Sequence, residues 1–285
     1  MLFRSLEKIA REGANAIYQG EIAHAIAACV TRNGGALAAG DLAGVRVDVA
    51  RAQAQEFAEA TVHGARRDST GYGILCDALA ALDPAALGEN RGGGYARTMV
   101  TALRTAWQRR AQTLTPAAAG HTTHLGACDG DGMLASMTFT HGPTWFGAGL
   151  FVEEAGIVLN SGANLFIQPR QGGAPRAVHN MSPVIVEHRA TRHAMGSPGG
   201  AKIPAIVMQM IVDAVHYGLP LADAIGLPRV SVAPDGGAEA EAGLMSAIPA
   251  DLAPRAIDRN EYYGPASALT RDAKGGVHVA RDPRF

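Results

Sequence analysis

The spacing of apolar residues along the chain changes between two periods, which predict a mixture of helices and strands. Apolar residues three and four positions apart are typical of a helix with one buried face. By this pattern, helices are predicted around 6–10, from 21 to 30, over 72–82, from 95 to about 114, and from 203 to 214. The helix from 203 has the longest apolar face, with Gln209, Asp213 and His216 on the opposite side.

Other parts of the chain predict strands, because short segments either alternate between apolar and polar residues or are bounded by turn residues. The predicted strands are 45–49, 122–128, 133–140, 156–159, 183–187, 191–195, 266–270 and 277–280, while 53–62 is ambiguous. The strands 122–128 and 133–140 form a hairpin around Asp129-Gly130-Asp131-Gly132. Its second strand has Met137 and Phe139 on one face, and Thr138 and Thr140 on the other. Because helices and strands do not alternate regularly, the sequence predicts α+β layers.

Composition and charge exclude several classes of protein. The chain has 285 residues, 47% of them hydrophobic, which is enough for a sizeable core. Its net charge of −1 and lack of a basic stripe predict neither a nucleic-acid surface nor a membrane surface. The start of the chain lacks an apolar signal region, and Ile203–Val215 is too short to span a bilayer. Taken literally, these features predict a cytoplasmic protein, or a periplasmic or secreted one if an upstream segment exists.

No metal or cofactor site is predicted. The three cysteines are far apart and no CxxC occurs, which argues against a disulfide framework or a zinc site. His121, His124 and His141 match no standard metal-ligand spacing. The Asp129-Gly130-Asp131-Gly132 segment lacks the later ligands of a calcium loop, so a plain turn is predicted.

One short segment stands out once the common catalytic motifs are excluded. The chain has no GxSxG, HExxH or P-loop sequence. Thr122-Thr123-His124 lies where a turn-prone linker, 114–120, meets the predicted hairpin. A threonine hydroxyl is a poor nucleophile, but an N-terminal threonine carries an α-amine with a pKa of roughly 7.7–8.0 that serves as its base. By local sequence alone, Thr122 also fits an ordinary start of a strand.

Several motifs occur in the order found in the γ-glutamyltranspeptidase family, and the chain resembles the C-terminal half of that family. The motifs are Tyr18-Gln19-Gly20-Glu21, Asn33-Gly34-Gly35, Thr122-Thr123-His124, Gly156-Ile157-Val158-Leu159-Asn160, Met181-Ser182-Pro183, Gly196-Ser197-Pro198-Gly199-Gly200 and Asp282-Pro283-Arg284. The resemblance implies an N-terminal-nucleophile hydrolase, an αββα sandwich that is complete or lacks part of its N-terminal side. It also implies that residues 1–121 are a remnant of the large chain and 122–285 the small chain.

The resemblance assigns catalytic roles to four residues. It implies that the Thr122 hydroxyl attacks the carbonyl of His121, so that the chain cleaves itself before Thr122. Thr140 would hydrogen-bond this nucleophile, and Gly199 and Gly200 would form the oxyanion hole. The two glycines also precede the predicted helix from 203, where free N–H groups and the helix dipole favour an anion.

The substrate contacts of the family are changed in this chain. Leu165 stands where an acidic residue would hold a glutamyl ammonium, and His179-Asn180 replaces a serine pair. His179, Asn180 and Asn164 are therefore the candidate substrate-binding residues. The expected partners are a small amide substrate, the two cleavage chains for each other, and a missing N-terminal segment or a second copy.

Three functions remain open at this point. The first is hydrolysis or transfer of γ-glutamyl groups from compounds such as glutathione. The second is hydrolysis of another small amide, oxamate-like or acyl, on the same fold. The third is a non-catalytic remnant, or a half that needs a partner chain.

Overall fold

A computed structural model describes residues 2–66, 69–111, 122–142, 146–162, 167–170, 173–177, 179–233, 235–257 and 264–284. The chain forms two compact units. Unit 1 contains 1–50 and 141–164, and unit 2 contains 51–140 and 165–285. None of the helices in the described ranges combines the length and apolar character that crossing a bilayer requires.

Helices predominate in the first part of the described chain and strands in the second. The helices are α1 (Leu2–Glu12), α2 (Asn15–Tyr18), α3 (Glu21–Arg32), α4 (Ala39–Ala43), α5 (Thr70–Ala81), α6 (Gly93–Ala111), α7 (Ile203–Val215), α8 (Leu221–Ala224) and α9 (Ala242–Met245). The strands are β1 (Gln53–Phe57), β2 (Ala60–Gly64), β3 (Thr122–Cys128), β4 (Leu134–Thr140), β5 (Phe151–Val152), β6 (Ile157–Val158), β7 (Ile167–Arg170), β8 (Gly173–Ala177), β9 (Val184–His188), β10 (Thr191–Gly196), β11 (Val230–Val232), β12 (Ala238–Ala240), β13 (Arg255–Ala256), β14 (Ser267–Arg271) and β15 (Val277–Arg281).

A six-stranded antiparallel sheet is the centre of unit 2. Its order is β1-β2-β9-β10-β14-β15. The segment 53–62, which is ambiguous in the sequence, lies in the β1–β2 hairpin. Its two strands are only five residues each and are separated by a turn in which Ala58 has φ +50°. The buried Tyr72 stabilises this edge, because its hydroxyl donates to the Val62 carbonyl at 2.8 Å.

A layer of helices covers one face of the sheet. α5 packs against α6 and α7, and α7 packs against β10. The predicted helix from 203 is confirmed as α7, but its polar side is buried as well as its apolar side. Gln209 is 2% exposed and accepts from the Val230 N–H at 2.9 Å, which ties α7 to β11. Asp213 is 2% exposed and pairs with Arg91 at 3.1 Å.

The β3–β4 hairpin covers the other face of the sheet and confirms the sequence prediction. Ser136 donates to the Met195 carbonyl at 3.2 Å, and Arg192 donates to the Gly132 carbonyl at 2.8 Å. The polar face of the hairpin therefore faces the six-stranded sheet, while Met137 and Phe139 are exposed on its other face. The described part of unit 2 thus has three layers: helices, sheet and hairpin.

Unit 1 has a small core of its own. Its elements are α1 to α4 and the short β5–β6 pair. Ile22 and Ile26 on α3 pack in one cluster with Val152 and Ala155. The predicted strand 156–159 is confirmed as β6, although β6 is shorter.

The predicted strand at 45–49 is wrong. Within the described ranges no strand pairs with this segment, and Val47 and Val49 are 81% and 88% exposed. Alternation alone cannot form a strand without a neighbour to supply hydrogen bonds and a core to cover one face. The predicted linker 114–120, and the end of the predicted helix beyond Ala111, lie outside the described residues.

A buried ion-pair network joins the end of the chain to the rest of unit 2. Asp282, which is fully buried, accepts from Arg229 at 2.6 Å and from Arg284 at 2.8 Å. Arg284 also pairs with Glu241 at 2.6 Å. Burial alone would raise the pKa of Asp282, but the two guanidinium groups outweigh it and hold the pKa below its usual value.

Asp282→Asn is expected to destabilise the protein by roughly 3–5 kcal/mol at neutral pH, because it leaves buried guanidinium charge uncompensated. Since the pKa of Asp282 is lowered on folding, its contribution is present above the ordinary aspartate pKa and is lost as pH falls through the folded value. Denaturant unfolding of wild type and variant at several pH values would show the difference shrinking in acid. Asp251→Asn, which breaks the exposed pair with Arg97, is the control and should cost far less.

Candidate active site

Thr122 and Thr140 are direct partners across the β3–β4 hairpin. Thr122 is the first residue of β3, Thr140 is the last residue of β4, and their Cα atoms are paired in the register. Side chains of paired residues lie on the same face of a hairpin. His124 and Thr138 share this face two residues further along, and His124 Nδ1 lies 2.8 Å from Thr138 Oγ1. Both threonine side chains therefore lie on the face that covers the six-stranded sheet.

The stacking of the two sheets indicates what Thr122 lies against. A Cβ built on Gly126 would lie 3.6 Å from the Ala194 Cβ. A Cβ built on Gly196 would collide with the His124 imidazole. Gly126 on β3 therefore lies over Ala194 on β10, and His124 lies over Gly196. Continuing this register by two more residues places Thr122 beyond the end of β10, towards the segment 197–200.

Gly199 and Gly200 lie in that segment, where the chain turns into α7. Their φ angles are +128° and +56°, in the left-handed region that favours glycine. A 3₁₀ turn at Gly200–Lys202 leads directly into α7, as the sequence predicted for the start of this helix. A Cβ on Gly199 would lie only 3.1 Å from the Ile206 Cδ1, so a side chain would be crowded as well as strained.

His179 and Asn180 precede β9 and lie close to the first turn of α5. Val184 on β9 pairs with Met195 on β10, so the residues before Val184 flank those after Gly196. The Gly71 N–H of α5 donates to the His179 carbonyl at 2.9 Å. The Asn180 side chain is 5% exposed.

These residues lie at one end of the central strands of the six-stranded sheet. We call this end of the strands the Gly196 edge. At this edge β9 begins, β10 ends and β14 begins, as shown by the pairs Val184↔Met195 and Gly196↔Ser267. The structure therefore places the Thr122–Thr140 pair, the 197–200 segment and the 179–180 segment at the same end of the sheet. Asn164 and Leu165 lie outside the described residues.

Burial makes the nearby imidazole a weak base. It lowers the pKa of His124 to about 4, because the charged ring would be poorly solvated between the two sheets. His124 is therefore neutral at physiological pH and too weakly basic to be a good proton acceptor there. Burial also lowers the pKa of Lys202 to about 8, although its ion pair with Glu239 favours the charged form.

Two polar residues at the Gly196 edge were missed by the sequence reasoning. Ser69 and Thr70 lie at the start of α5, where the sequence pattern predicts an ordinary helix cap. In the structure, the Ser69 side chain makes no capping hydrogen bond, and neither hydroxyl has a partner among the described residues. No signal in the sequence distinguishes this arrangement from a cap, because the difference depends on the approach of residues 179–181.

A cavity of about 500 Å³ lies at the other end of β10. Its walls include His188, His193 and Thr191 from the sheet, and Leu219 and Leu221 near α8. Burial lowers the pKa of His193 to about 4, and both its ring nitrogens lie within hydrogen-bond distance of threonine hydroxyls. None of the candidate active-site residues lines this cavity, so its location does not define the reaction site.

The fold is of the N-terminal-nucleophile hydrolase type. It matches the crystal structure of cephalosporin acylase from Bacillus halodurans with a TM-score of 0.80 over 100% of this chain and 61% of that one, at 19% identity. A family model described as gamma-glutamyltranspeptidase matches residues 1–119 and 112–285. The chain therefore belongs to the gamma-glutamyltranspeptidase family, as its motifs predicted.

Relatives of known name agree with this assignment. The glutathione hydrolase proenzyme of Escherichia coli (strain K12) is 27% identical over 288 aligned positions, which cover 80% of this chain and 50% of that protein. The glutathione hydrolase proenzyme of Bacillus subtilis (strain 168) is 34% identical over 122 positions, 39% of this chain and 20% of that protein. This chain thus spans about half the length of the Escherichia coli relative.

Proposed function

We propose that this protein hydrolyses or transfers the acyl group of small amides, with Thr122 as a nucleophile that self-cleavage exposes. The observation that carries the proposal is the position of Thr122. It is paired with Thr140 on the sheet-facing side of the hairpin, and the stacking register directs it towards the Gly199-Gly200 turn. A hydroxyl nucleophile, a second hydroxyl and backbone donors at a helix start are the groups that acyl transfer requires.

Maturation would proceed by attack of the Thr122 hydroxyl oxygen on the carbonyl carbon of His121. The carbon–nitrogen bond breaks, the hydroxyl proton passes to the leaving nitrogen, and an ester to Thr122 forms. Water then hydrolyses the ester, which returns the hydroxyl and leaves a carboxylate on His121. The product is a new chain that begins with the free α-amine of Thr122. His121 itself lies outside the described residues.

In turnover, the α-amine of Thr122 would take the proton of its own hydroxyl as the oxygen attacks the substrate amide. Its ordinary pKa of roughly 7.7–8.0 suits this role, whereas the lowered pKa of His124 does not. The amine passes the proton to the departing amine of the substrate. Water then releases the acyl group as an acid, or a second amine accepts it. The Gly199-Gly200 turn would stabilise the oxyanion in both steps.

Two substrate classes fit this reaction. The relatives named glutathione hydrolase proenzyme favour γ-glutamyl compounds such as glutathione. The neutral Asn180 beside the Gly196 edge favours a small amide of another kind, because a glutamyl group carries two charges that need partners. Release of p-nitroaniline or of glutamate by the purified protein tests the shared reaction, and its absence with every acyl amide would contradict it.

A substrate that lacks the α-ammonium group is expected to have a higher kcat/KM than the same substrate with this group. Leu165 stands where the family has a carboxylate for this ammonium, and an unpaired charge in a partly buried pocket costs affinity. Comparison of kcat/KM should therefore favour glutaryl-p-nitroanilide over γ-glutamyl-p-nitroanilide. Leu165→Asp should shift the ratio back towards the γ-glutamyl compound. A strong preference of the wild type for γ-glutamyl-p-nitroanilide would contradict this prediction.

A further inference from the structure

Three buried polar atoms without a hydrogen-bond partner among the described residues belong to two segments whose backbones touch at the Gly196 edge. They are Ser69 Oγ, Thr70 Oγ1 and Asn180 Oδ1. Thr70 is 4% exposed and Asn180 is 5% exposed, so bulk water does not replace the missing partners. A buried polar group left unpaired destabilises a protein, and nearly all such groups in proteins are paired. Three together therefore need an explanation.

The start of α5 packs directly against the backbone of residues 179–181. Ser69 is at the N-cap position of this 12-residue helix without capping it through its side chain, and Thr70 is the first helical residue. A Cβ on Gly71 would collide with the carbonyl group of Asn180, so only glycine permits this close approach. The Gly71 N–H donates to the His179 carbonyl at 2.9 Å, which fixes the two segments together. The residues that carry the two hydroxyls are thus adjacent to the Asn180 backbone, at the positive end of a helix dipole.

Most other buried side-chain atoms without a hydrogen bond have a different explanation. In the described part of the chain, these atoms belong to charged groups with an oppositely charged neighbour: Arg91 with Asp213, Arg110 with Asp77, and Glu239 with Lys202. His124 Nε2 also lacks a partner, on the hairpin face that covers the sheet. The neutral group of Ser69, Thr70 and Asn180 is not compensated by any ion pair.

We propose that Ser69, Thr70 and Asn180 bind the far end of the substrate's acyl group, and that this end is a neutral carboxamide. The proposal rests on the proposed function, because the acyl carbonyl would be held at Thr122. A carboxamide supplies both missing partners: its NH₂ donates to Asn180 Oδ1, and its oxygen accepts from the two hydroxyls. A carboxylate cannot donate to Asn180, and none of the three side chains carries a positive charge to neutralise it.

The first test compares substrates that differ only at the far end of the acyl chain. These are the p-nitroanilides of 4-carbamoylbutanoate, glutarate and pentanoate. We expect kcat/KM of the wild type to be at least about tenfold higher for the carbamoyl compound, since one buried hydrogen bond to a neutral group contributes about 1.4 kcal/mol. Thr70→Val should lower kcat/KM for the carbamoyl compound about tenfold more than for the pentanoyl compound. Equal losses on all three substrates would overturn the subsite.

Two further variants keep this test independent of folding. Ser69→Ala removes the second hydroxyl, and Asn180→Leu keeps the approximate volume while removing the amide. Both should reduce the preference for the carbamoyl end, and either of them suffices if the other does not fold. Thr101→Val, on the exposed side of α6, is the matched control and should leave the preference unchanged.

The second test measures binding without the reaction. Calorimetric titration with glutaramic acid, the acid that the carbamoyl substrate would release, should show binding to the wild type that Thr70→Val weakens about tenfold. Binding with this pattern but no turnover on any anilide would sustain the subsite and contradict the proposed reaction. Turnover of the anilides without binding of glutaramic acid and without a preference for the carbamoyl end would sustain the proposed reaction and contradict the subsite. Absence of binding overturns the subsite whatever the turnover.

Discussion

Replacing Thr122 by alanine is expected to leave a single uncleaved chain and to reduce amide hydrolysis to background. Alanine has no hydroxyl, so neither the attack on His121 nor the attack on a substrate can occur. The change should not disturb the fold, because Thr122 is a half-buried residue at the start of β3 and alanine fits there. Denaturing electrophoresis should show the uncleaved mass of 29.5 kDa, with an unfolding temperature near that of wild type.

Two matched variants make this result specific. Thr122→Ser keeps a hydroxyl and an N-terminal amine, so it should still be cleaved and active, at a lower rate. Thr123→Ala changes the next residue, which is exposed on the opposite face of the hairpin, and should be cleaved normally. If Thr122→Ala is cleaved at the same place as wild type, Thr122 is not the residue that cuts the chain.

Gly200→Val is expected to reduce kcat by about 10²–10³, the usual cost of losing one oxyanion donor. Gly200 has φ +56° and is buried at the start of the turn into α7. A β-branched residue in the left-handed region costs about 1–2 kcal/mol and would force the backbone to rotate. The Gly200 N–H, the proposed oxyanion donor, would then change direction. KM should change less than kcat, since the oxyanion exists only in the transition state.

Gly218→Val controls for the strain of the substitution itself. Gly218 also has a positive φ, +65°, and no atom within 4 Å of a built Cβ, but it lies near the other end of β10. The Gly218→Val variant should have an unfolding temperature lowered to a similar extent as Gly200→Val, with kcat close to that of wild type. Equal turnover in wild type and Gly200→Val would exclude these glycines from the mechanism.

The sequence predicted the elements that depend on local pattern. The β3–β4 hairpin, the helix α5 and the strands β14 and β15 follow from periods of two and 3.6 residues and from turn residues between them. The turn at Asp129 is also local, because its carboxylate accepts from the Met133 N–H at 2.7 Å. These features need no knowledge of distant residues, which explains their success.

Features set by distant residues could not be predicted. The segment 53–62 becomes a sheet edge only because β2 pairs with β9, more than a hundred residues later in the chain. The 45–49 segment has the alternation of a strand but no partner. At the candidate site, the motifs indicated the candidate catalytic residues, whereas the unpaired hydroxyls of Ser69 and Thr70 follow from the packing of Asn180 against α5, which no local pattern predicts.

In the proposed maturation, Thr122 becomes the N-terminus of a separate chain. Mass spectrometry of the purified wild-type protein under denaturing conditions, with N-terminal sequencing, tests it most directly. We expect two polypeptides, one ending at His121 and one beginning at Thr122, which elute together under native conditions. A wild-type protein that remains one polypeptide of 29.5 kDa after prolonged incubation would contradict the claim.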